Sequence, residues 1–196
     1  MGILTTLFAA GAVGGASASL PKTDGSVSPG ISPVDLDYNL IPMLVKKEDG
    51  KLIFSDCPEY ADNYGILYEG TVEKGKGRVY YYHVNETGKP ARVLVYAKSD
   101  KKQDITVTRT VKGDPSADYM PTGATLSFRE AVNEAGDPVL VKLLPKERTV
   151  LFEDDKKGIR SGDLVSGIVE IETKKPVSLG VAIVPDGTKE DVKKAL

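Results

Sequence analysis

Few residues of this chain have the types and spacing that chemistry needs. His83 is the only histidine, set in Tyr80-Tyr81-Tyr82-His83-Val84-Asn85. An imidazole can act as a general base or a metal ligand. Catalysis also needs a nucleophile or carboxylate held against it, and no residue at local spacing supplies one. His83 therefore reads as a packed or hydrogen-bonded strand residue, with His83→Ala expected to change stability modestly and function not at all. Cys57, in Ser55-Asp56-Cys57-Pro58, is the only cysteine. A nucleophilic role would require His83 beside it in space, and no cysteine-enzyme signature surrounds it. A buried or loop thiol is the reading. Carboxylates gather at Glu153-Asp154-Asp155 and at Asp114 and Asp118. Calcium takes such oxygens, but neither group has EF-hand spacing, and Lys156-Lys157 offsets the first. Solvated turns are expected. Asn85-Glu86-Thr87 matches the glycosylation triplet. There is no P-loop, no Gly-rich dinucleotide turn, no HExxH and no GxSxG. The expectation is a non-enzyme without a cofactor, with any metal left open.

The elements that must position these residues come in two kinds. Met1–Leu20 carries no charge and ends in Ala16-Ser17-Ala18. Such a run reads as a secretory h-region with its cleavage site, although the basic n-region is missing. A retained assembly segment or a membrane anchor are the alternatives; the run is short and rich in Gly and Ala for a span. If it is retained, Ile3, Leu4, Leu7 and Phe8 are the candidate assembly contacts. Residues 21–38 are rich in Pro, Gly and Ser and read as a linker.

From Leu40 onward the chain is strand-like. Segments rich in Val, Ile, Leu, Tyr and Thr occupy 40–46, 51–55, 65–72, 78–85, 91–98, 104–111, 139–144, 149–153, 164–172 and 177–184. Several alternate with period two, as Ile105, Val107 and Arg109 do against Thr106, Thr108 and Thr110. The gaps carry turn residues such as Glu48-Asp49-Gly50 and Lys112-Gly113-Asp114-Pro115. Many short strands at this spacing predict an all-β fold, an antiparallel β-sandwich of immunoglobulin-like or jelly-roll type spanning 39–187. Residues 127–135 read as a short helix ending at Gly136, and 188–196 as a short C-terminal helix or tail.

Composition narrows the function. Net charge is −2, which argues against nucleic acid, whose binding needs a concentrated positive surface. One cysteine excludes an intramolecular disulfide and a cysteine zinc site. Nine tyrosines and no tryptophan weaken the picture of a deep aromatic sugar cleft, though tyrosine alone can serve.

Tyr64-Gly65-Ile66-Leu67-Tyr68, Arg78, Tyr82 through Pro90, Thr108-Arg109, Gly113 through Tyr119 and Val165-Ser166-Gly167-Ile168 carry a resemblance. Over residues 64–185 the chain is similar to the β-rich module that follows copper-amine-oxidase-type stalk domains in surface proteins of Firmicute-type bacteria. Here an apolar segment and a linker stand ahead of it in place of a stalk domain. The resemblance implies a location at or outside the cell envelope and no catalytic role. Two functions follow as expectations. One is an extracellular structural subunit that polymerises with other copies of itself through its N-terminal region. The other is a monomeric adhesion module for a glycan or protein. An enzyme ranks below both.

Overall fold

The computed structural model describes residues 49–132 and 136–196. The strand expected at 40–46, the linker, and Ile3, Leu4, Leu7 and Phe8 lie outside the described residues. The described residues fall in one compact unit.

The body is an all-β sandwich. One sheet contains β1 (Lys51–Ser55), β2 (Tyr60–Ala61), β4 (Gly75–Asn85), β6 (Gln103–Lys112), β7 (Val139–Leu143) and β9 (Leu164–Thr173), in the order β1-β4-β9-β6-β7, with β2 also on β4. The other runs β3 (Gly65–Val72), β10 (Val177–Pro185), β5 (Ala91–Lys98), β8 (Arg148–Ile159). The pairings are antiparallel except for β1 and β2, which run parallel to β4. Alternation explains the layers. Val79 and Tyr81 of β4, Ile105 and Val107 of β6, and Val169 and Ile171 of β9 meet Val93 and Val95 of β5 and Leu179, Val181 and Ile183 of β10 in one buried core. Each such side chain contributes about 1.5–3 kcal/mol on burial.

β9 and β10 read as near-continuous apolar runs because both of their faces are covered. Outside the first sheet lies α1 (Tyr119–Ala131), whose Leu126 packs on Val111, Ile168 and Tyr80. Outside the second lies α2 (Lys189–Ala195), where Val192, Ala195 and Leu196 cover Leu94, Tyr96, Ala182 and Val184. Among the described residues, no helix is long and apolar enough to cross a membrane.

Four local expectations need correction. α1 begins eight residues before the expected 127, because Asp118 caps it by accepting from the Met120 N–H. Pro121 falls in the first turn, where its missing donor costs little. β8 extends to Ile159, six residues past the expected 153, carrying Glu153-Asp154-Asp155 inside a strand rather than a solvated turn. The period-two alternation of β6 fails at Thr108: a bulge between Val107 and Arg109 leaves Ile105 and Val107 in the core but turns Arg109 and Val111 out toward α1. Two-residue β2 escaped notice because nothing so short has a period.

Tyrosine–glycine pairs set the register in both sheets. Tyr81 lies opposite Gly167, and Tyr96 opposite Gly180. A Cβ on Gly167 would stand 2.3 Å from the Tyr81 hydroxyl oxygen, and one on Gly180 would stand 2.2 Å from Tyr96 Cζ. Each ring lies across the gap its glycine leaves. Tyr81 then donates to Asp154 Oδ2 at 2.7 Å, and Tyr96 to Glu69 Oε2 at 2.7 Å. Burial, with Asp154 second, raises the Tyr81 phenol well above its usual range, so it stays a neutral donor. Lys112 Nζ meets Asp154 Oδ1 at 2.7 Å. This fully buried carboxylate thus joins β4 and β6 of one sheet to β8 of the other.

A candidate binding furrow on the outer face of one sheet

β4 alternates from Gly77 to His83. Val79, Tyr81 and His83 point into the core, so Arg78, Tyr80 and Tyr82 point out. Parallel β1 does the same: Ile53 and Ser55 point in, while Leu52 and Phe54 are 58% and 45% exposed. The Phe54 and Tyr80 rings stack with centroids 5.1 Å apart. Tyr60 of β2 and Tyr119 at the start of α1 complete the row, their hydroxyls 3.4 Å apart. That shared hydrogen bond pushes the Tyr119 phenol up to about 12. Tyr82 is raised by burial and by the nearby Glu59 and Tyr60. Both phenols are neutral donors at physiological pH.

These rings line a furrow along β4. β4 and the edge strands β1 and β2 form its floor, and α1, packed over β6 and β9, bounds one side. At the far end the furrow opens into a depression of about 570 Å³ lined by Leu52, Lys76, Arg78, Thr108, Glu170 and others. Arg78 donates to Glu170 at 2.8 Å and also pairs with Glu130 of α1 at 3.2 Å. The site is amphipathic: flat aromatic faces at one end, and at the other charged groups paired with each other. No spacing rule could have revealed it. The tyrosines come from three elements, and only the Tyr80/Tyr82 pair is visible as a local i, i+2 pattern.

His83 lies on the inner side of this floor, fully buried. Its Nε2 is 2.8 Å from Ser55 Oγ and its Nδ1 2.8 Å from the Pro58 carbonyl. A carbonyl only accepts, so Nδ1 carries the hydrogen and Nε2 accepts from the Ser55 hydroxyl. The structure thus supplies the partner that local spacing did not. A serine–histidine contact of this form is how hydroxyl nucleophiles are activated, but Ser55 is itself fully buried, and no substrate reaches it in this conformation. Burial lowers the His83 pKa. Cys57 is exposed in the loop between β1 and β2 and precedes a cis proline; both His83 nitrogens already have other partners.

The remaining candidates separate. Asp154 is buried in the sandwich, Glu153 pairs with Arg92 at 2.6 Å, Asp114 pairs with Arg129 at 3.0 Å, and Asp118 caps α1. Among the described residues no three His, Cys, Asp or Glu side chains gather as a metal site. Asn85 is buried, donating to the Lys89 and Ile159 carbonyls and accepting from Thr87. That removes it as a glycosylation acceptor in the folded chain. The chain matches no protein-family model, no curated protein and no solved structure.

Proposed function

We propose that the body is a non-enzymatic binding module acting outside the cell, which holds a glycan chain along the aromatic furrow. The observation that carries this is the row of Phe54, Tyr80, Tyr82, Tyr60 and Tyr119 on one sheet face. Sugar rings present C–H groups on their faces and hydroxyls at their rims. Flat rings receive the first, and phenol hydroxyls, Glu59 and the charged far end receive the second. The charge-free Met1–Leu20 with its Ala16-Ser17-Ala18 ending supports export, as does the resemblance to envelope proteins. Co-sedimentation with microcrystalline cellulose, chitin and bacterial peptidoglycan tests the reading. Tyr60→Ala and Tyr82→Ala should each weaken binding about three- to tenfold, while Tyr68→Ala, on β3 of the other sheet, should not. Equal retention of all three variants, or retention of none of the proteins including the unmodified one, would remove the furrow as a glycan site.

A second reading, a self-polymerising surface subunit, has its own support. Among the described residues β1 is an end strand, and it exposes Leu52 and Phe54. Such an edge can accept a strand from another copy.

A further inference from the structure

We propose that α1 is a self-association surface: two copies pair across a two-fold axis, with their α1 helices antiparallel and their outer faces in contact.

A surface helix normally turns its apolar stripe to the core and its charges to water. α1 buries only Thr122 and Leu126, and its two charged side chains are tied down toward the strands. Arg129 donates to the Lys112 carbonyl at 2.8 Å and pairs with Asp114. Glu130 pairs with Arg78 at 3.2 Å, and its carbonyl accepts from Arg109. Every exposed position of the helix is uncharged, in a chain that is 28% charged. Met120, Phe128 and the C-cap Val132 are 78%, 66% and 54% exposed. With Ala124 they recur every fourth residue and so follow one face. Exposed apolar surface of this kind marks an interaction site.

This face fits itself. On a two-fold, a charge near the axis meets its own copy, and this face brings none. With the axis between Ala124 and Ser127, antiparallel helices set 120 against 131, 123 against 128 and 124 against 127. Each large side chain then meets a small one: Met120 lies over the partner's Ala131, and Phe128 over the partner's Gly123. No atom lies within 4 Å of an added Cβ on Gly123, and that open notch receives the ring. The antiparallel helix dipoles attract. A helix of 13 residues is about 20 Å long and about 10–12 Å across. Two such faces bury on the order of 600–900 Å², the size of a weak, reversible dimer. A lipid surface suits the face less well. Helices that lie on membranes carry several Lys and Arg on the polar side, whereas Arg129 is the one basic residue of α1 and is already held. Because α1 bounds the furrow, pairing sets two furrows beside one seam, and a polysaccharide that reaches both is held more tightly; that consequence alone rests on the furrow reading.

Sedimentation equilibrium of the full chain, without ligand, decides the pairing. Monomer should give way to dimer with a midpoint of about 10–500 μM. Phe128→Glu puts a carboxylate into the seam. Gly123→Gln supplies a good helix former but fills the notch. Each should raise the midpoint about tenfold or more with far-UV circular dichroism unchanged; if Phe128→Glu fails to fold, Met120→Glu takes its place. A chain that stays monomeric to about 1 mM, or association equal in the unmodified and variant chains, would overturn the proposal. Loss in Phe128→Glu but not in Gly123→Gln would overturn the antiparallel register. Binding to phosphatidylcholine vesicles that Phe128→Glu abolishes, with no dimer in solution, would give the face to lipid instead. A dimer that retains no polysaccharide would sink the furrow reading and leave the pairing standing.

Discussion

His83 is fully buried between Ser55 and Pro58, and this couples folding to pH. Burial holds the folded pKa of His83 below its ordinary 6.5. The neutral ring's contribution is therefore complete above about 6.5, and it declines as the pH falls below that toward the folded value. Urea midpoints measured across this window should fall on the acid side for the unmodified chain and less for His83→Gln. His83→Ala strands the Ser55 hydroxyl and the Pro58 carbonyl and leaves a cavity. The cost should be about 2–4 kcal/mol, more than the modest change expected of a strand histidine without a known partner. Asp154 offers a sharper contrast. Asp154→Ala leaves the Lys112 ammonium without that carboxylate and the Tyr81 hydroxyl without its acceptor, at about 3–5 kcal/mol. The paired change Lys112→Met with Asp154→Leu should recover much of this, as urea unfolding would show; a double variant no better than Asp154→Ala would contradict the pairing.

At the scale of elements, glycine has opposite meanings in a sheet and in a helix. Gly167→Ala forces a Cβ against the Tyr81 hydroxyl. It should cost about 1–3 kcal/mol and displace Tyr81 from Asp154, visible as a change in near-UV circular dichroism. Gly123, inside α1, has no atom within 4 Å of an added Cβ, so Gly123→Ala should stabilise by about 0.5–1 kcal/mol. Removing the cap with Asp118→Ala should cost about 1 kcal/mol. The thermal midpoints of these three variants should thus fall, rise and fall. An equal response of both glycines would mean that the tyrosine–glycine register is not what positions the ring.

For the whole molecule, the two functional readings differ in what residues 1–38 do. If β1 takes a strand from another copy, deleting 1–38 should leave a folded monomer that no longer polymerises, seen by light scattering and negative-stain microscopy against the full chain at matched concentration. Glycan retention by the furrow should survive the same deletion, because every ring in the row lies between Phe54 and Tyr119. Polymer of equal amount from both chains would remove the N-terminal region from assembly.

The sequence by itself determined what local pattern can carry. Period-two runs bounded by turn residues placed most strands within a few residues, whereas the covering of β9 and β10 on both faces came only with α1 and α2 in place. A single cysteine settled the disulfide question. The errors fell where a local rule was overridden. Asp118 started α1 eight residues before the expected 127, and the β6 bulge reversed the facing of Arg109 and Val111. Tertiary structure alone decided the sites. Ser55 and His83 are 28 residues apart, Lys112 and Asp154 are 42 apart, and Tyr81 and Asp154 are 73 apart. The furrow gathers its rings from β1, β2, β4 and α1. Strand propensity is a property of neighbours in the chain, whereas these contacts depend on which strand pairs with which and in what register. That choice is made by burial of the whole core, and no single segment carries it.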